Sequence, residues 1–485
     1  MKYIKFIIIG LITVTSCKKV LDIEPVQDIP NELAIQSTLD LKNVLNGAYD
    51  GFQSVMSGNL VMFADLLADD TEVNQDRLNP FGTLEIYRRE TSVQIGILRD
   101  IWKSAYNTIN RANNIIYAID NQTINDDEFD MYKNQLKGEA LFLRAVTYFE
   151  ICRFWALPYD VSKPGGNNQL GLPYREIPIF SKDDDMSLAR SSVEDVYSKV
   201  IRDLKDAENL LTSAGIISSG NESTPASPYL SRGRASAMAC NAYLSRIYFQ
   251  KGDYQNASSY ANIVINSEIY SMDSLTQKAF QSTGEEYAGE VIFQLINTSK
   301  DQVNNIVYNY YSSSNVAPLF SANAIALKNL YLSYDKRRQD AQYISINGIT
   351  NKGYPKKYKN ALNSIITNNI CILRLSELHL IRAESNYLTN GNISDAYDSY
   401  KAVRERAIGS VKYNGELPIL WTDNDFLKKV RDERRMELIF EGDRYHNLKR
   451  LQLPLRDNIA YNNSSLIFKI PQEEMSGNTL MVQNQ

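Results

Sequence analysis

Histidine and tryptophan are scarce in this 485-residue chain, which holds 2 of the first and 3 of the second. His379 and His446 each lack a second histidine at helical spacing, so a zinc pair on one helix face is excluded. A Ser or Cys nucleophile served by a histidine base would have to use one of these two, and both read as packing or surface residues. Cysteine is sparse as well: beyond Cys17, near the N-terminus, only Cys152, Cys240 and Cys371 remain. Three is an odd number, so no disulfide framework can be built. Each of the three lies in or against an apolar helical pattern, where a thiol behaves as a small hydrophobe. No later run reaches the ~18 apolar residues of a membrane-spanning helix. A net charge of -5 is mild and gives no reason to propose nucleic acid, whose binders usually carry a basic face. Carboxylates are plentiful, yet no spacing singles out a catalytic pair, and neither a nucleophile–base pair nor a cofactor site can be assembled. The expectation is a protein that is not an enzyme and holds no cofactor.

What the chain does have is tyrosine, 31 of them, whose apolar ring and polar tip suit wet, amphipathic ligands such as sugars or peptides. Hydrophobic residues at 44% and charged residues at 22% are the proportions of a folded globular protein. Its first residues, MKYIKFIIIGLITVTSC, combine basic Lys2 and Lys5 with a short apolar run from Phe6 to Val14, the pattern of an export signal. Val14-Thr15-Ser16-Cys17 resembles a bacterial lipobox, in which the chain is cut before the cysteine and its thiol carries lipid. Residues 1–16 are therefore expected to be a lipoprotein signal, 17–34 a tether punctuated by Pro25 and Pro30, and 35–485 a single domain.

Helical periodicity begins near Leu39 to Tyr49 and is clearest from Leu98 to Ile119, where Ile101, Trp102, Ala105, Ile109 and Ala112 fall on one stripe. A second long helix is expected over 129–155, and Ser191-x-x-Glu194 has the form of a capping box opening a third. Compact hairpins follow: Ala235 to Gln250 and Tyr254 to Ile265 flank Gly252-Asp253, and Leu373 to Thr389 and Ser394 to Arg406 flank Asn390-Gly391-Asn392. Ala257 and Ala396 stand at matching places in the second arms, and a further version runs from Asp425 through Gly442 to Arg450. Such units resemble tetratricopeptide repeats. The expected fold is mainly α, a tetratricopeptide-like scaffold of about four helix pairs, with long irregular insertions containing short β-strands such as Val291 to Ile296. Within Lys428 to Glu437, Lys429 and Glu433 at i,i+4 read as an ion-paired helix face.

The insertions lie at about 56–96 and 268–370, the second rich in Tyr, Asn and Ser, and irregular segments on a rigid frame are where binding residues collect. Sugar capture uses flat aromatic faces with planar polar groups beside them. Candidates are Asn74, Arg77, Phe81 and Tyr87 in the first insertion and Tyr308, Tyr310 and Tyr311 in the second. Tyr308 and Tyr310 read equally well as one buried face of a strand. Trp102, Trp155 and Trp421 read as packing, which leaves no tryptophan for a broad platform and keeps a peptide ligand open. Asp69, Asp70 and Glu72 offer a possible calcium site, although without an EF-hand loop.

Six segments in order resemble the SusD/RagB family: Leu21 to Pro25 after the lipobox; Arg111-Ala112-Asn113-Asn114-Ile115-Ile116; Gly138 to Ala145 with Tyr148-Phe149; Leu373-Arg374 with Glu377 and Ile381 to Glu384; RDERRMELIFEGDRYHNLKR at 431–450; and Ile470 to Glu474. The resemblance implies a lipid-anchored outer-membrane protein, facing outward, that captures oligosaccharide without cleaving it. It also implies delivery of that ligand to a partner TonB-dependent barrel of the SusC type, with the helical repeats contacting the barrel. Alternatives are a RagB-type peptide-binding accessory and a periplasm-facing scaffold that binds only protein.

Overall fold

Helices form where apolar residues recur every three or four positions, and they dominate the chain. The computed structural model describes residues 35–73, 82–181, 184–217, 232–284, 286–298, 300, 320–323, 327, 329–339, 343–347, 352–358, 368–416 and 422–485. Cys17 with the signal and tether, Asn74, Arg77, Phe81, Tyr308, Tyr310, Tyr311 and Trp421 lie outside the described residues.

Helix α1 (Thr38–Met56) opens with a capping box in which Ser37 and Asp40 satisfy each other's backbone donors. It is followed by α2 (Asn59–Leu67), α3 (Gly96–Asn121) and α4 (Phe129–Trp155). The stripe of α3 faces inward, with Leu98, Ile101, Trp102, Ala105, Ile109 and Ala112 all buried. From Leu136 to Trp155 nearly every side chain of α4 is buried, because α1, α3 and α5 (Val193–Ser213) pack around it. Neighbouring helices approach closely: a Cβ added at Gly51 of α1 would lie 2.5 Å from the Thr108 hydroxyl of α3. The cap of α5 falls one residue later than expected. Leu170 and Ser192 form a β-bridge that keeps Ser192 extended, so Ser192 accepts from the Asp195 amide. Glu194 instead accepts from Tyr159 and Lys251.

The two hairpins are α6 (Ala237–Lys251) with α7 (Tyr254–Asn266), and α8 (Leu375–Asn390) with α9 (Ile393–Ile408). Gly252 and Gly391 end the first arms at φ of 75° and 68°, where a side chain would strain the turn. Asp253 and Asn392 then cap the second arms. Ala257 and Ala396 are fully buried, as close helix contact requires. Helices α10 (Asp423–Glu437), α11 (Asp443–Arg450) and α12 (Gln472–Gly477) complete the frame. The main apolar core runs from Ile35 to Met481, and a smaller one gathers Tyr387, Tyr400, Phe426 and Val430 under α8 to α10.

The first insertion is less irregular than its composition indicated. Asn59-Leu-Val-Met-Phe-Ala-Asp-Leu-Leu67 is apolar on every side, and it folds as a helix whose Met62, Phe63, Leu66 and Leu67 are fully buried. Short strands β1 (Thr71–Val73), β2 (Val291–Leu295), β3 (Phe320–Asn323), β4 (Ile344–Asn347), β5 (Lys352–Pro355) and β6 (Ile370–Arg374) build two antiparallel sheets. One has the order β1-β3-β5-β4, and the other pairs β2 with β6 at the base of the second insertion.

The charged run at 428–437 also differs from expectation. Lys428 and Asp432 make the exposed i,i+4 pair, while Glu433 turns inward to Arg337 at 2.7 Å and Arg404 at 3.3 Å. One turn on, the buried Glu437 carboxylate accepts from Tyr343 at 2.9 Å, Arg337 at 3.0 Å, Arg374 and Arg406. Asp335, Glu290, Glu441 and Lys357 complete a buried network that ties the second insertion to α8, α9 and α10.

Candidate functional site

The two insertions meet through β1 and β3. Val73 pairs with Phe320, and Thr71 pairs with Ala322, in antiparallel register. Because the strands run oppositely, the first insertion leaves β1 at the same end of the sheet where the second insertion enters β3. The chain continues from that end into 74–81 and arrives at it from 301–319, the stretches whose sequence carries six of the seven proposed ligand residues.

Beside the first insertion lies a surface hollow of about 740 Å³, within the ~300–1,000 Å³ usual for ligand sites. The first turns of α3 supply Ile97, Asp100, Ile101 and Ser104 to its wall, and Ser92, Gln94, Gly82 and Glu85 come from the segment that precedes α3. Ser54 and Asn59 close the far side. The wall alternates short polar groups with isoleucine, a surface that offers donors and acceptors around apolar patches. Asn59 is 9% exposed, and its Oδ1 has no hydrogen-bond partner among the described residues. An unpaired buried acceptor is costly, and a ligand hydroxyl donating to it would remove that cost.

Tyr87, the one proposed ligand residue among the described residues, is half-buried against the core. The Arg456 guanidinium lies 3.7 Å from its ring centroid and also holds the Leu66 carbonyl at 2.8 Å, so one face of the tyrosine is covered. Asp69 and Asp70 form ion pairs and do not make a cation cradle. Arg444 bonds both Asp69 oxygens at 2.8 and 2.7 Å, and Arg435 bonds Asp70 at 3.0 Å. Burial raises the Asp69 carboxyl, but Arg444 outweighs it and holds the group below the usual carboxylate range. Among the described residues no group of His, Cys, Asp or Glu is placed to hold a metal ion. These carboxylates anchor the first insertion to α10 and α11.

Neither histidine lines the hollow. His446 packs its ring edge-on to Phe154, and burial keeps it neutral, well below its ordinary pKa. Burial, with Arg382 and Arg406 nearby, pushes His379 down to about 3. Burial raises the Cys152 thiol to about 12, so no reactive thiolate forms there. Trp102 and Trp155 are core residues, with Nε1 groups bonded to Glu474 and the Lys469 carbonyl. A cleft beside His446 encloses only about 70 Å³, too little for a sugar ring.

The sequence reading missed Asn59, Ser92 and Gln94. A polar residue heading an otherwise apolar helix was the available signal for Asn59; the other two carry none.

Residues 19–249 match a family described as starch-binding and associating with the outer membrane, and residues 251–466 match the SusD family. SusD-like proteins P2 and P38 of Formosa agariphila are each 24% identical to the chain; P2 aligns over 93% of it and 91% of its own length, P38 over 92% and 90%. A SusD superfamily protein from Bacteroides thetaiotaomicron superposes with a TM-score of 0.78 at 23% identity, covering 93% of this chain and all of its own. A structure named as a putative sugar binding protein, from Bacteroides vulgatus, gives 0.73 at 25% identity and covers 93% and 99%. Members are described as binding proteins and not as enzymes. With matched segments from residue 19 to residue 466 and a shared helical frame, the chain belongs to the SusD/RagB family.

Proposed function

We propose that the protein captures oligosaccharide without cleaving it and passes it to a SusC-type TonB-dependent barrel. It is held at the outer membrane by lipid on Cys17 and faces outward. The observation that carries this reading is the α3 hollow, lined by residues of the first insertion, together with the Val73–Phe320 pairing that links the first insertion to the second. The wall of that hollow holds hydroxyl, amide, carboxylate and isoleucine side chains, a mixture that matches sugar hydroxyls and C–H faces. Asn74, Arg77, Phe81, Tyr308, Tyr310 and Tyr311 are the side chains we assign to the ligand, with Asn59 added and Tyr87 as a supporting wall.

A glycan array probed with the mature chain, followed by product analysis of the glycan it retains, tests this. Retention with no new reducing ends is expected; release of reducing ends contradicts the reading. Co-purification of a barrel from the native membrane tests the partner. The burial of Trp102 and Trp155 favours a second reading, peptide capture, because it leaves no tryptophan platform among the described residues.

A further inference from the structure

Helix α3 has hollows on both flanks. Opposite the first lies a groove of about 650 Å³, between α3, residues 173–179 and 186–188, and α12, and Asp100 stands on the ridge shared by the two. We propose that this groove is a second carbohydrate site, one that takes an uncharged oligosaccharide.

Its walls are held by side chains from three elements. Asn110 of α3 bonds both the amide and the carbonyl of Ile179, at 2.7 and 3.0 Å. The Tyr106 hydroxyl donates to the Pro173 carbonyl at 3.1 Å. Asn478, just past α12, bonds the amide and carbonyl of Leu188 at 3.1 and 2.9 Å. A groove fixed in this way needs little ordering when a ligand enters. Its floor is the half-buried Tyr106, backed by the buried Trp102 ring 4.9 Å away at 37°, and Met186 stands half-exposed on the wall. At the open rim, Lys103 and Asn107 are exposed.

The charges lining the groove cancel. Arg99, Lys103 and Arg175 stand against Asp100, Glu473 and Glu474. Balanced charge gives no selection for an anion or a cation, whereas donors and acceptors of both kinds around an apolar floor fit hydroxyls at the edges of a flat C–H face. A longer glycan would reach from one flank of α3 to the other over Asp100.

This inference rests on the carbohydrate reading, so its test must separate the two. The mature chain is screened on an array of uncharged oligosaccharides, and the best-bound member is titrated by calorimetry and native mass spectrometry. Asn107→Trp fills the groove and Ser92→Trp fills the hollow; both positions are exposed, and thermal melts confirm folding. Two sugars per wild-type chain are expected, each variant losing one, or a single long sugar weakened about tenfold by either variant. Binding unchanged in Asn107→Trp but lost in Ser92→Trp overturns the second site alone. Failure to bind any glycan overturns the proposed function with it. Sensitivity of Asn107→Trp to peptides only makes the groove a peptide site and overturns the sugar assignment.

Discussion

The network around Glu437 and the hollow beside α3 use polar residues in opposite ways. In the first, Arg337, Arg374, Glu290, Glu433 and Glu437 are at most 1% exposed and bond one another. In the second, Ser54, Asn59, Ser92, Gln94 and Ser104 face an open space, and Glu85 and Asp100 are the charged groups in its wall. Strong charge here fixes the frame, because a desolvated ion must find a matched partner and so admits one arrangement. Recognition is left to groups that exchange water for ligand cheaply. The most distinctive stretch of the sequence, 431–450, accordingly clamps the insertions to the frame and lines no part of the hollow.

That contrast can be broken from either side. Acid should have the largest effect. Burial raises the Glu377, Glu384, Glu437 and Glu441 carboxyls, but the surrounding guanidinium groups, joined by Lys357 at Glu437 and Glu441, outweigh it and hold all four below their ordinary value. A depressed folded pKa means that the unfolded chain binds more protons, so this stability is full above the unfolded value of about 4.3 and is lost as pH falls through the folded values. Thermal melts should drop steeply below about pH 4.5. Glu437→Gln should follow, costing about 3–5 kcal/mol in urea unfolding, because three arginines lose their shared anion. Gly442→Ala is smaller. Gly442 has φ of 78° and an added Cβ would lie 3.2 Å from Val61 Cα, so about 1–2 kcal/mol should be lost. Lys428→Ala, at the exposed pair with Asp432, should move stability by less than about 0.5 kcal/mol. A large loss there would erase the distinction between inner and outer charge.

Much of the frame was legible in the sequence because helix periodicity and turn chemistry are local. Gly252-Asp253, Gly391 and Ala257 with Ala396 could be read from spacing alone. The cap at Ser192 was misplaced by one residue because a β-bridge to Leu170, a tertiary contact, decides it. Glu433 looked like the partner of Lys429 because its real partners, Arg337 and Arg404, lie 96 and 29 residues away. The hollow was hidden for the same reason. Ser92 and Gln94 are ordinary polar residues until α1 and α2 bring Ser54 and Asn59 opposite them. Likewise, nothing local shows that Asp69 and Asp70 are taken by arginines of α10 and α11.

Hydrogen–deuterium exchange of the mature chain, with and without its retained glycan, tests the central claim most directly. The account predicts added protection in 74–95 and 301–319 and at the start of α3, with the α6–α7 and α8–α9 hairpins unchanged. Protection confined to those hairpins, with the insertions exchanging as before, would contradict it.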